Sequence, residues 1–139
     1  MISFSKATAD ADVAEAFDRL SEAAWAVRES ASIIGKTKVG CALQTSSGVT
    51  VVGCNIEQRF RSHDVHAEVN AISSMVAAGE REITYLLVVA DRRRFTPCGA
   101  CMDWIMQFAA PNCLVAFQPL TDEPPTIYRT HELMPHDPQ

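Results

Sequence analysis

No apolar run in the 139 residues approaches the roughly 18 that a membrane-spanning helix needs, and no basic stretch followed by an apolar core marks a secretory leader at the N-terminus. The expectation is a cytoplasmic protein with no membrane partner. Basic charge is also in short supply. Twelve Lys and Arg stand against seventeen Asp and Glu, a formal charge of −5, the reverse of the balance a nucleic-acid surface would show, so no nucleic-acid partner is expected. There is no internal repeat and no low-complexity tract. Five cysteines, an odd number, read in a reducing compartment as buried thiols or metal ligands before disulfides. What remains is the profile of an ordinary globular protein, 47% apolar and 21% charged. It is read as a single domain over residues 1–139 that buries a core of its own.

Periodicity predicts the elements. Val13, Phe17, Leu20, Ala24 and Val27 recur at helical steps within a helix expected over Ala9 to Ala31. Val39 to Thr45 and Val49 to Ile56, joined by Ser46-Ser47-Gly48, read as a β-hairpin. A helix is expected from Val65 to Ala78 with Gly79 as its stop, and a buried strand from Tyr85 to Ala90. A helix over Cys98 to Ala109, ended by Pro111, leads to a strand at Leu114 to Phe117, an edge strand at Thr126 to Thr130 and a short terminal helix. This αββαβαββ order predicts an α/β fold. The connection from Tyr85 to Leu114 runs through a helix and suits a parallel pair. Only about seven residues, Pro119 to Pro125, join the last two strands. A parallel crossover takes roughly a dozen or more, so these two strands should be antiparallel.

The chemistry sits at two predicted helix starts, His66-Ala67-Glu68 and Thr96-Pro97-Cys98-Gly99-Ala100-Cys101. Cys98 and Cys101 are three apart, so one helical turn brings both sulfurs to one point, and the helix dipole favours their thiolate forms. With His66 they make three ligands of the kind zinc takes. Three protein ligands rather than four are the mark of a catalytic site with one position left for water. One zinc per chain is therefore expected. Glu68 does not fit as a ligand. A carboxylate beside metal-activated water can take a proton from it and pass protons to a substrate. His-x-Glu followed by Pro-Cys-x-x-Cys, with 32 positions from His66 to Cys98, is the zinc-deaminase pattern. Cys41, Cys54 and Cys113 lie in apolar strand-like runs and read as small buried hydrophobes.

From about Lys36 to about Pro135 the chain resembles the cytidine deaminase family, in its small, usually homotetrameric branch. Val39-Gly40-Cys41-Ala42-Leu43 is similar to that family's V-G-A-A-L strand, Gly53-Cys54-Asn55-Ile56-Glu57 to its G-x-N-x-E segment, Pro97 to Cys101 to its P-C-G-A-C, and His131 to Pro135 to its E-L-L-P. The resemblance implies a three-layer α/β/α sandwich around a five-stranded mixed sheet. It implies hydrolytic deamination of a cytosine-type nucleoside, with Glu68 catalytic and with Asn55, Glu57 and Ala67 against the substrate, the first two on the ribose. It also implies a homo-oligomer, a tetramer ahead of a dimer.

The chain departs from that branch in ways that charge explains. The branch has Cys-Ala-Glu-Arg, and an Arg after P-C-G-A-C, where this chain has His66, Val69 and Met102. One His and two thiolates neutralise Zn²⁺, whereas three thiolates leave a negative shell that the arginines offset. His-Ala-Glu-x-Asn-Ala-Ile also resembles deoxycytidylate and tRNA-adenosine deaminases. Thr37 and Pro138 stand where the family places Phe beside the pyrimidine, which weakens stacking or widens the pocket. Arg59 and Arg61, in Gln58 to Asp64, either meet a 5′-phosphate edge or pair with Asp64 and face solvent. The same choice applies to Arg92-Arg93-Arg94. A nucleotide, a modified cytidine, a nucleoside antibiotic or another aminated heterocycle remains as an alternative substrate. A non-catalytic zinc-stabilised binding protein is the alternative of another class.

Overall fold

The computed structural model describes residues 11–92 and 96–135. In chain order the elements are α1 (Ala11–Arg28), β1 (Val39–Thr45), β2 (Thr50–Cys54), a 3₁₀ turn (Arg61–His63), α2 (Ala67–Ala77), β3 (Ile83–Ala90), α3 (Gly99–Phe108), β4 (Ala109–Gln118), β5 (Thr126–Arg129) and the single turn α4 (Thr130–Leu133). The strands form one mixed sheet in the order β2-β1-β3-β4-β5. β3 and β4 run parallel, as their helical connection requires, while β1 is antiparallel to both of its neighbours and β5 is antiparallel to β4.

Alternation along the central strands divides the interior into two cores. Ala42, Leu87, Val89, Leu114 and Ala116 face Val13, Phe17, Leu20 and Ala24 of α1. Cys41, Leu43, Leu86, Val88, Cys113 and Val115 face Ala71, Ile72 and Met75 of α2 together with Met102 and Ile105 of α3. Successive side chains leave opposite faces of a strand, so fully apolar runs such as Leu86–Ala90 fill both cores at once. The result is the expected three-layer α/β/α sandwich.

Two glycines set how closely helices approach the sheet. A Cβ on Gly40 would lie 2.1 Å from the Ala24 carbonyl oxygen on α1, and one on Gly53 would lie 2.3 Å from the Ala71 nitrogen on α2. Both contacts are with backbone, which cannot yield as a flexible side chain would. Each glycine is required by this close approach rather than by conformational freedom. Gly48 and Gly79 serve the other purpose. At φ +89° each, they close the β1–β2 turn and terminate α2.

Several boundaries differ from the sequence expectation. The start of α1 at Ala9 and Asp10 lies outside the described residues, and the helix ends at Arg28, before Ala31. α2 begins at Ala67 rather than Val65, because Val65 pairs with Ile56 as an isolated antiparallel bridge. β2 stops at Cys54 rather than Ile56. α3 gives way directly to β4, and Pro111 lies within that strand instead of after a helix end. The ladder accommodates the proline through an irregularity between Ile83↔Ala109 and Tyr85↔Leu114, since proline has no N–H to contribute. The regular part of β4 begins at Leu114, where the strand was expected.

Candidate functional site

The ends of β2, α2 and α3 meet at a cleft of about 660 Å³ including its open mouth, lined by residues that include Asn55, Glu57, His66, Ala67, Glu68 and Cys98. His66 and Cys98 are the N-cap residues of α2 and α3. The plain structural role for such a histidine would be to cap its helix, but its side chain makes no capping hydrogen bond. Its Nδ1 instead lies 3.2 Å from Cys101 Sγ and 3.4 Å from Cys98 Sγ. Cys98 Sγ accepts from the Cys101 backbone N–H at 3.4 Å. The three donor atoms all lie within 4.8 Å of one another. A tetrahedral zinc with bonds of about 2.0–2.3 Å needs its ligand atoms about 3.5–3.8 Å apart. One imidazole and two thiols at this spacing fit one zinc ion. Cys101 is buried while His66 and Cys98 are exposed at the cleft, which leaves the approach from the cleft open.

Glu68 stands in the first turn of α2 and is 3% exposed. Burial pushes its carboxyl above the ordinary range. Its own backbone N–H, a hydrogen bond with the Cys101 thiol and the nearby His66 pull the other way. Cys101 is driven upward in turn, first by burial and then by the Glu68 charge, and a cation between the ligands would reverse that trend. Cys41 is fully buried, and its thiol is raised by burial and by the Glu68 charge. Cys113, also in the core, is pushed up to about 12 by burial. Both behave as the small hydrophobes expected of them. Cys54 is half-buried instead, at the end of β2 where its backbone N–H donates to Asn70 Oδ1 at 3.0 Å.

The far end of the cleft is built differently. Asn55 spans two strands' ends, with Oδ1 accepting from Val39 N at 2.9 Å and Nδ2 donating to the Thr37 carbonyl at 3.0 Å. Glu57 Oε1 accepts from Ile34 N at 2.7 Å and from Gly35 N at 2.8 Å, and Oε2 pairs with Arg61 Nη2 at 2.9 Å. These amides, Gly35 first, hold the Glu57 carboxyl below its usual range with help from Arg61. Arg61 Nε donates in turn to Asp64 Oδ2 at 2.8 Å, and Asp64 Oδ1 accepts from Gln58 N at 2.7 Å. Of the two roles considered for Arg61, pairing with Asp64 is the one observed, with Glu57 as a second partner. Arg59 is exposed and is not among the cleft-lining residues. Arg92 does line the cleft, as do Thr37, Val39, Val65 and Thr96, while Arg93 and Arg94 lie outside the described residues. Val39, Val65 and Thr96 carry no mark of a site role in their local sequence pattern. Pro138, one of the two positions where an aromatic was missed, also lies outside the described residues.

Comparison with known proteins agrees with this geometry. Residues 15–117 match the family model for the cytidine and deoxycytidylate deaminase zinc-binding region. The chain belongs to this family. Among cytidine deaminase-like relatives, a probable cytidine deaminase of Dictyostelium discoideum is 32% identical over 100 residues, 70% of this chain and 66% of that protein. A blasticidin-S deaminase of Bacillus cereus is 32% identical over 92 residues, 60% of this chain and 65% of that protein. The matches thus span just under two thirds of these curated relatives. The crystal structure of cytidine deaminase from Burkholderia pseudomallei superposes with a TM-score of 0.78 at 30% identity, covering 86% of this chain and 96% of that one. Among the described residues no helix is long and apolar enough to cross a membrane.

Proposed function

We propose that the chain, acting as one domain over residues 1–139, hydrolyses the exocyclic amine of a cytosine-type nucleoside, giving the uridine-type nucleoside and ammonia. The observation that carries this reading is the buried Glu68 carboxylate, lining the same cleft as His66 and Cys98 and hydrogen-bonded to Cys101. His66, Cys98 and Cys101 would hold a zinc ion, which would supply the Lewis acidity that makes water a nucleophile at neutral pH. Glu68 takes a proton from the attacking water and delivers it to ring nitrogen N3, then takes the second proton from the hydroxyl now on C4 and delivers it to the amine, so that the C4–N bond breaks, ammonia leaves and the C4 carbonyl forms. Its raised affinity for protons suits a group that must both accept and return one.

Asn55 and Glu57 form the proposed ribose contact. An amide nitrogen has two donors and a carboxylate about four acceptor positions. After the bonds described above, Asn55 Nδ2 keeps one donor and Glu57 Oε2 keeps one acceptor position. One sugar hydroxyl can satisfy both, accepting from Asn55 and donating to Glu57. Ala67, buried and lining the same cleft, gives the base an apolar wall. Unpaired cysteines throughout the described residues suit a reducing, cytoplasmic setting. A homo-oligomer, tetramer before dimer, is proposed from the family, and light scattering at micromolar concentration checks it. An active 15.2 kDa monomer would contradict it.

A second reading keeps the chemistry and changes the substrate to a modified nucleoside such as blasticidin S. The Bacillus cereus relative and Thr37, a small cleft-lining residue where the family pattern has an aromatic, favour it. Ammonia release from cytidine, deoxycytidine, cytosine, cytidine 5′-monophosphate and blasticidin S separates the readings. Turnover of none of them would remove the deaminase assignment.

A further inference from the structure

Asn70 belongs to the segment His66-Ala67-Glu68-Val69-Asn70-Ala71-Ile72, but it has no part in holding a metal or moving a proton. Its backbone N–H donates to the His66 carbonyl at 2.9 Å, and its side-chain Oδ1 accepts from the Cys54 N–H at 3.0 Å. One residue therefore touches a metal-ligand residue at one end of the cleft and the residue directly before Asn55 at the other. The register of β2 makes the Cys54 amide available. Asn55 N donates to the Val39 carbonyl and Thr45 N to the Val49 carbonyl, so Val51 and Gly53 bond to β1 and Cys54 turns its N–H to the outer edge of the sheet. β2 is an edge strand, and Asn70 Oδ1 supplies the acceptor that a further strand would have given. Among the described residues no second side-chain hydrogen bond joins α2 to β2.

We infer that Asn70 is a positioning residue that sets the register between the two ends of the cleft, holding Asn55 and Glu57 in step with Glu68. The inference rests on the deaminase reading, because only a substrate with both a base and a sugar uses both ends. The side-chain bonds of Asn55 run to Thr37 and Val39, and those of Glu57 to Ile34, Gly35 and Arg61. None of these partners is on α2, so nothing in those bonds fixes either residue relative to Glu68. Close packing at Gly53, where a Cβ would lie 2.3 Å from Ala71 N and 2.7 Å from the Ala67 carbonyl, sets how near α2 stands to the strand. Packing is non-directional and resists sliding along the strand only weakly, whereas a hydrogen bond has a preferred line. The Asn70 bond therefore fixes the coordinate that packing leaves soft. Without it the half-buried end of β2 can turn its amide to water, and the sugar contact shifts against the base. A misplacement of order 1 Å can lower a rate up to about a hundredfold. A free base, which meets the metal end alone, does not sense this register.

The test compares kcat/KM for cytidine and for free cytosine in the zinc-loaded full chain and in variants at position 70. Asn70→Leu is close in size and has no acceptor. It should keep its zinc and lower kcat/KM for cytidine about tenfold, mainly through KM, while changing the value for cytosine less than about threefold. Asn70→Asp keeps an acceptor at the same reach and should recover most of the cytidine value. Combined with Glu57→Ala, Asn70→Leu should lower cytidine turnover by less than it does alone, because one contact it aligns is already gone. A residue that merely stabilised the fold would lower both substrates together and would add fully to Glu57→Ala. Equal losses on the two substrates, no loss on either, or no recovery in Asn70→Asp overturns the inference and leaves the deaminase reading standing. Should Asn70→Leu not fold, Asn70→Ser, whose hydroxyl is too short to reach Cys54, takes its place. If cytosine turns over too slowly to follow, the coupling to Glu57→Ala on cytidine decides. Absence of ammonia from both substrates in zinc-loaded wild type overturns the deaminase reading and this inference with it.

Discussion

At one end of the cleft His66, Glu68, Cys98 and Cys101 stand on the first residues of two helices packed against the sheet. At the other end Glu57, Arg61 and Asp64 stand on a loop, beside Asn55 at the end of β2, fixed by side-chain bonds to backbone amides and to one another. The first end takes its geometry from the core. α2 is pressed onto β2 at Gly53, so the position of Glu68 follows from close packing. The second end takes its geometry from hydrogen bonds alone. Atoms that do chemistry need placement to within fractions of an ångström, and a packed helix start gives it more rigidly than a loop. Groups that choose among substrates need a set of unspent donors and acceptors, and a loop can be tuned to leave one of each.

The contrast predicts graded losses. Cys98→Ala removes a ligand that no neighbouring side chain can replace, so zinc content should fall from one per chain to near zero and ammonia release to background. Metal analysis of the purified variant measures this, and retained stoichiometric zinc would break the site. Glu68→Gln should keep the zinc and the circular dichroism spectrum and lose about 10²–10⁴-fold in kcat, the usual contribution of a general acid/base group. Glu57→Ala belongs to the other end. It should cost about 10–100-fold in kcat/KM on cytidine and little on free cytosine, because a sugar hydroxyl loses its acceptor while the base contacts stay. The Glu57 carboxyl is held below its ordinary range by the Ile34 and Gly35 amides and by Arg61. It is ionised above its lowered value, so the preference for cytidine over cytosine should persist through mildly acidic pH. That preference should fade only as pH drops below the ordinary carboxylate range of about 4.3.

The metal end was legible in the sequence for a physical reason: each ligand set is a short motif at a helix start, and three-residue spacing fixes which side chains share a point. Loop length likewise predicted an antiparallel final pair, since so short a connection leaves no room for a crossover. Arg61 shows where this kind of reading stops. Its i−4 and i+3 relation to Glu57 and Asp64 hints at an ion pair. Which partner it takes depends on closure of the loop at Ile56 and Val65, and that pairing has no signature in composition or period. Asn55 was read for its side chain's use toward a ligand. Most of its amide is spent on Thr37 and Val39 across the start of β1, a tertiary contact that no local pattern announces. Pro111 misled in the other direction. A proline after a helix suggests a stop, but an irregular strand can hold one where the ladder needs no donor.

The smallest effect tests whether packing really sets the metal end. Gly40 and Gly53 are equivalent as packing devices, each touching helix backbone at a distance no Cβ could occupy, but they lie under different helices. Gly40 meets α1, on the face away from the site, and Gly53 meets α2, which carries Glu68 directly after the His66 cap. Alanine at either position overpacks a helix–sheet contact and should cost about 1–3 kcal/mol of stability, or more if the helix cannot move. Their consequences for turnover should differ. In Gly40→Ala, α1 can shift without disturbing the cleft, so the folded fraction should keep the wild-type kcat. In Gly53→Ala, the shift needed to relieve contacts of 2.3 Å to Ala71 N and 2.7 Å to the Ala67 carbonyl falls on the first turns of α2. Glu68 should move with it, and kcat should drop about tenfold, since a displacement of order 1 Å can cost up to about a hundredfold. Thermal melts give the stability of each variant, and kcat measured well below the midpoint, per zinc bound, gives the geometry. Equal kcat in the two variants would mean that α2 holds its ligands independently of the sheet, and that the two ends of the cleft are less different in construction than their contacts indicate.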